Sequence, residues 1–317
     1  MAGIELFAPR TPRHRRTWTA AALILAIVFI ILGQVMAAVP GLMTGLISPT
    51  GETTGWPGMA FSLYVGFGFA AAITIGWVIA FERRGLAAIG FNDQGWKRFL
   101  RGYAVGLAFL LATVGVIAAL GGYAIEGGGA FAAASVPAAL LPIVVLLFGF
   151  IVQGSTEEII TRGWLMQLIA SRHGLAVGIG ITSVFFGLLH AMNIPPSPEL
   201  VIGLINITLF GVFIGLYAAR EGSLWGVCGW HAAWNWLLGL GFGLEVSGQV
   251  IDTPPLIMDL TTRSEVAWWI TGAKFGPEGS VVTTVILVAA ALFLVLKFKS
   301  RDHGVVGGAT PAEQSPA

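Results

Sequence analysis

The sequence predicts an all-α polytopic membrane protein, with about eight transmembrane helices in a bundle. Three observations predict it. Only 10% of the 317 residues are charged and 56% are hydrophobic, whereas a soluble domain carries about 25% charge. The apolar residues fall in blocks of about 20, the length that spans a hydrocarbon core of roughly 30 Å. Stretches that favour turns, such as Ser48-Pro49-Thr50-Gly51 and Ile194-Pro195-Pro196-Ser197-Pro198, divide the blocks. A soluble enzyme, a disordered protein and a secreted disulfide scaffold are excluded. The single cysteine, Cys228, leaves no internal disulfide and no cysteine-rich metal cluster. A net charge of +1 predicts no nucleic-acid partner.

In chain order, a basic N-terminus over 1–17 carries Arg10, Arg13, Arg15 and Arg16. The apolar run at 18–39 is too long for a signal peptide and reads as a retained helix. Two further spans at 59–81 and 102–125 complete an N-terminal group over 18–134. A second group over 135–245 holds 137–156 (continuing helically to about 171), 174–192, 200–219 and 224–244. An external loop over 246–279 carries Asp252, Asp259, Glu265 and Glu278, and its Trp268 and Trp269 suit a membrane interface. The last span is 280–296, and a Gly-, Ala- and Pro-rich tail over 301–317 is expected to be disordered. Small-residue pairs at Gly102/Gly106 and Gly211/Gly215 allow helices to approach closely.

Lysine and arginine set the expected orientation. With the N-terminus inside, fourteen fall on cytoplasmic segments and two, Arg263 and Lys274, outside; Arg162 lies within a helix. Both termini are therefore expected in the cytoplasm, with the chain in the cell membrane and lipid around it.

Ionisable groups inside spans cost about 3 kcal/mol each on insertion scales and mark functional sites. Glu157, Glu158, Arg162, His190 and His231 are such groups, and Asn235 follows His231 by one turn. Glu158 and Arg162 are i,i+4 neighbours in the favoured order, which gives Glu158 a structural role. Glu157 is rotated by roughly 100° and is left as a candidate base. Glu157 lies 16 residues before His173 and His190 lies 17 after it. An antiparallel hairpin puts both roughly 25 Å from their turn. His231 and Asn235 fall roughly 15 and 21 Å from the next turn on that side. The four groups are thus expected in one layer, at a depth compatible with cytoplasmic access.

Glu157-Glu158-x-x-x-Arg162, Phe186-x-x-x-His190 and His231-x-x-x-Asn235 resemble the three motifs of the CAAX protease and bacteriocin-processing family of intramembrane peptidases, which includes the type II CAAX prenyl endopeptidases. The resemblance covers about residues 135–245. It implies a helical bundle around an intramembrane cavity, and hydrolysis of a peptide or prenylated peptide within it. By motif position, Glu157 resembles the catalytic glutamate, acting with His190 on the attacking water. His231 and Asn235 resemble the groups that stabilise the oxyanion, and Arg162 and Phe186 complete the motifs around them. The residue types suit the reaction, because amide hydrolysis needs a base for water and donors for the developing oxyanion. Two histidines and a glutamate also compose the three-ligand set of a catalytic zinc site; Glu157, His190 and His231 are the ligands in that case.

Other peptidase chemistries lack their residues. No aspartate falls within a span, there is no His-Glu-x-x-His, and no serine sits in a Gly-x-Ser-Gly setting. From other classes, a proton-coupled transporter using a Glu/His relay needs an aqueous path to both sides. A non-catalytic immunity or scaffold protein needs no intact Glu157.

Overall fold

The computed structural model describes residues 5–305, with side chains through residue 297. Helices α1 (Thr19–Thr44), α2 (Gly55–Phe81) and α3 (Gly95–Ala119) come first. Next come α4 (Val136–His173), α5 (Leu175–Leu189), α6 (Pro198–Glu221) and α7 (Trp225–Trp236, continued by a π-helical turn at Leu237–Gly241). The last is α8 (Val281–Val305). Each expected span coincides with a helix. Five of them, α1–α4 and α6, are long and apolar enough to cross a membrane unaided; α5 and the Val281–Lys297 part of α8 are shorter apolar helices. The outer faces match that solvent, with Ile24, Leu111, Val184 and Leu292 each half or more exposed. The chain is a mostly helical integral membrane protein.

Sequence punctuation explains the helix ends. Ser197 accepts a hydrogen bond from the Leu200 N–H, and Pro198 needs no partner at the first helical position of α6. That helix stops at Gly222, whose φ of 62° is the left-handed value glycine adopts freely. The α4–α5 hairpin turns at Gly174, whose φ of 92° with ψ of 158° is a conformation open to glycine.

α7 is buried on all sides from Gly226 to Asn235 and forms the bundle's axis. Glycines let neighbours reach its backbone. A Cβ on Gly102 of α3 would sit 1.9 Å from the Gly226 carbonyl oxygen, and one on Gly106 would sit 2.5 Å from that of Trp230. On the α5–α6 side, a Cβ on Gly211 would lie 2.8 Å from the Ser183 backbone. Both small-residue pairs therefore act as packing seams. Trp230 fills the space beside these seams, stacked on Trp234 at 5.1 Å and edge-on to Phe109 at 5.7 Å.

Two expectations need correction. The span expected over 102–125 ends at Ala119, because Gly121 takes a φ of 79° and turns the chain out of the helix. The residues that follow form strand β1 (Tyr123–Gly128), paired antiparallel with β2 (Met258–Thr262) with a bulge between Ile125 and Gly127. This two-stranded pairing sits within a mostly helical fold and ties the α3–α4 connection to the segment between α7 and α8. The tail expected to lack structure begins within α8, which runs to Val305; residues 306–317 lie outside the described part.

The basic N-terminal segment is also held. Glu5 pairs with Arg10 and Arg84 and accepts from Gln167 Nε2, while Thr17 donates to Glu82. Trp164 Nε1 donates to the same Glu82 carboxylate at 3.2 Å. These contacts join the N-terminus, the α2–α3 connection and the end of α4 into one closed face.

Candidate active site

A cavity of ≈ 850 Å³ opens between the helices. Glu157, Phe186, His190, His231 and Asn235 all line it, so the residues placed in one layer by helix geometry share one space. Glu158 and Arg162 lie behind its wall, fully buried.

Glu158 sits at the centre of the charged group. Its Oε1 pairs with Arg162 Nη1 at 3.1 Å, the expected i,i+4 contact, and also lies 2.9 Å from His231 Nδ1. The chain is π-helical from Ile159 to Met166, directly after Glu158. The Arg162 guanidinium lies 4.5 Å from the Phe186 ring and 5.6 Å from that of Phe210. Its Nε and Nη2 make no hydrogen bond among the described residues, and the ring faces replace those partners. Phe186 in turn meets the His190 ring edge-on at 4.9 Å.

With Nδ1 held by Glu158, His231 turns Nε2 to Glu157 Oε2 at 3.4 Å. The other Glu157 oxygen accepts from Gln153 Nε2 at 2.8 Å, and Gln153 Oε1 accepts from Asn235 Nδ2 at 2.9 Å. Glu157 Oε2 is buried and makes no hydrogen bond among the described residues. An acceptor held by its neighbours, with one oxygen uncommitted, is arranged to take a proton. His190 ends α5, and its Nδ1 bonds the Phe186 carbonyl at 2.9 Å, leaving Nε2 for the cavity.

The imidazole paired with Glu157 is therefore that of His231, with His190 on the same cavity wall but outside the pair. Among the described residues no group of three or more His, Cys, Asp or Glu side chains is placed to hold a metal ion. Glu157, His190 and His231 as they stand do not compose a zinc ligand set. Cys228 is buried and takes no part in the lining.

Two participants escaped the sequence reading. Gln153 precedes Glu157 by one turn and carried a readable signal in that spacing. Glu278 had none, because only the folded loop brings it to the cavity. Its carboxylate accepts from Trp234 Nε1, Ser247 N and Ser247 Oγ. Burial pushes the Glu278 carboxyl above its ordinary range, against the pull of the Ser247 hydrogen bonds.

Residues 139–237 match the family described as Rce1-like: type II CAAX prenyl endopeptidase Rce1-like. That stretch is similar to a type II CAAX prenyl endopeptidase. No curated protein and no solved structure matches the chain. The Rce1-like stretch contains Gln153 and all three motifs, and ends before Ser247 and Glu278. The cavity wall that carries the three motifs thus lies within the match, while the wall built from the 246–279 segment lies outside it.

Proposed function

We propose that this protein is an intramembrane endopeptidase, CAAX protease-like, that hydrolyses a peptide bond inside the cavity. The observation that carries this reading is one connected polar chain, Asn235–Gln153–Glu157–His231–Glu158–Arg162, within which the Glu157 carboxylate lines the cavity and keeps its Oε2 without a hydrogen bond among the described residues. Glu157 takes a proton from water as the water oxygen bonds to the scissile carbonyl carbon. The second Asn235 amide proton meets the developing oxyanion, a donor of a kind worth about 3 kcal/mol. Collapse breaks the C–N bond, and the proton on Glu157 passes to the leaving amine. The products are a carboxylate and an amine. Glu158 holds His231, and Arg162 offsets the charge of Glu158. His190 faces the same space and positions water or substrate.

The donors as placed give no ligand set for zinc, so each step runs through side chains, and a chelator tests the alternative directly. The distribution of basic residues supports both termini in the cytoplasm, and the cell membrane is part of the same reading. A proton-coupled transporter needs a path to both faces, and the run from Ile159 to Ala170 below Glu157 is buried without a break.

The test is cleavage of quenched peptides, one farnesylated with a CAAX end and one unprenylated, by protein purified in detergent. Glu157→Gln and His190→Ala are expected to lose activity about 10²-fold or more while keeping the wild-type melting temperature. Activity unchanged in Glu157→Gln removes Glu157 as the base. Loss of wild-type activity on chelation, restored by zinc, replaces the metal-free scheme.

A further inference from the structure

We infer that the cavity receives its substrate from the face opposite the basic termini, and that this is the extracytoplasmic face. The substrate class is then a peptide segment presented outside the cytoplasm, not the C-terminus of a cytoplasmic protein. The inference deepens the peptidase reading and rests on it for the word substrate; the direction of access stands independently.

The lining shows the direction. Beyond the catalytic wall, the cavity is bounded by Thr50, Gly51, Glu52 and Thr53 of the α1–α2 connection. Asn193 follows α5, and Val246, Ser247, Gln249, Val250 and Glu278 come from the long segment between α7 and α8. These connections share one end of the bundle, since each follows a helix that starts from the end where the N-terminus lies. The rim is open there: Thr50, Glu52 and Thr53 are exposed, and Val250 is 72% exposed. No residue of the α2–α3, α4–α5 or α6–α7 connections lines the cavity.

The other end is shut. Trp164, Leu165, Met166 and Ile169 are buried at 2% exposure or less, stacked below Glu157 along α4. Glu82, Trp164 and Gln167 then tie α4 to the N-terminal segment. The space found at that end is ≈ 10 Å³, room for about one water. A peptide cannot thread it.

Charge assigns the faces. The shut end carries Arg10, Arg13, Arg15, Arg16, Arg83 and Arg84, with more arginines and lysines beside them. The open end carries Arg263 and Lys274, outnumbered by carboxylates such as Glu52, Glu126, Asp252, Asp259, Glu265 and Glu278. Basic loops stay in the cytoplasm. The open end therefore lies outside, which reverses the cytoplasmic access expected from the depth of the site together with the topology.

Cysteine labelling decides it, and Cys228, the only native cysteine, is buried and gives little background. Thr50→Cys marks the rim, Ser62→Cys the cavity wall on α2, and Lys97→Cys the basic end of α3. In intact cells, a membrane-impermeant maleimide is expected to label Thr50→Cys and Ser62→Cys, and to label Lys97→Cys only after permeabilisation. Labelling of Lys97→Cys but not Thr50→Cys in intact cells overturns the orientation. Labelling of Thr50→Cys with Ser62→Cys unreactive, or reactive only after permeabilisation, overturns the opening of the cavity to that face. None of these outcomes requires hydrolysis. Absence of cleavage by the purified protein therefore counts against the peptidase reading and leaves the direction of access to be judged by the labels.

Discussion

Glu158 touches both Arg162 and His231 with no exposure to solvent. Neutralising it leaves the buried Arg162 charge without its counter-ion and weakens the hold on the His231 ring. Glu158→Gln is expected to destabilise the protein by about 3–5 kcal/mol, read as a large fall in melting temperature in detergent. Gln153 predicts the opposite profile, because among the described residues its side-chain hydrogen bonds go to Glu157 and Asn235 and it lies at the cavity wall. Gln153→Ala is expected to leave the melting temperature nearly unchanged. Its kcat is expected to fall about ten- to a hundredfold, the worth of a hydrogen bond to a charged group at ~1.5–3 kcal/mol. A fall in stability matching that of Glu158→Gln assigns Gln153 to the fold instead. At this scale the sequence was most informative about charge: the Glu158–Arg162 pair followed from helical spacing. The bridge from Glu158 to His231 did not, because it joins residues 73 positions apart.

At the scale of elements, the glycine seams carry the fold. A methyl group on Gly102 meets the Gly226 carbonyl oxygen at 1.9 Å, against backbone that cannot yield without moving α7. Gly102→Ala is expected to cost about 1–3 kcal/mol or more. Gly115→Ala in the same helix meets nothing within 4 Å, and is expected to be neutral or stabilising by up to ~1 kcal/mol. Equal effects at the two positions remove the close α3–α7 approach from the account. In the segment after α7, burial raises the Glu245 carboxyl above its ordinary range. A raised folded value means that stability is greatest below the ordinary carboxylate pKa, and declines as pH climbs through the raised value. Glu245→Gln, which does not titrate, is expected to match wild type near about pH 4 and to melt higher near about pH 8. Melting curves at both pH values check this. Helix positions were legible from apolar block length alone. The strand at Tyr123–Gly128 was not, because its partner lies in the Met258–Thr262 strand and nothing local distinguishes it from the end of a span.

For the whole molecule, the charge of the cavity predicts selectivity. Glu52, Glu157 and Glu278 line it, and no lysine or arginine does among the described residues. A free carboxylate near the scissile bond would meet like charge and no cation. A peptide amidated at its C-terminus is expected to show several-fold higher kcat/KM than its free-acid form, with the ratio shrinking as salt rises. A free-acid preference points to a cation supplied from elsewhere.

Composition and periodicity alone decided that the chain lives in a membrane, where its helices lie, and which buried polar residues gather. Those properties follow from burial along one helix and from the cost of charge in hydrocarbon, both local. Tertiary structure decided the rest. It placed His231 between two glutamates, linked Asn235 to Glu157 through Gln153, and brought Glu278 from a distant loop to the cavity wall. It also opened the cavity at one end and closed it at the other. Such pairings depend on which faces of different helices meet, and seams such as Gly102–Gly226 set those meetings through contacts that no single segment contains.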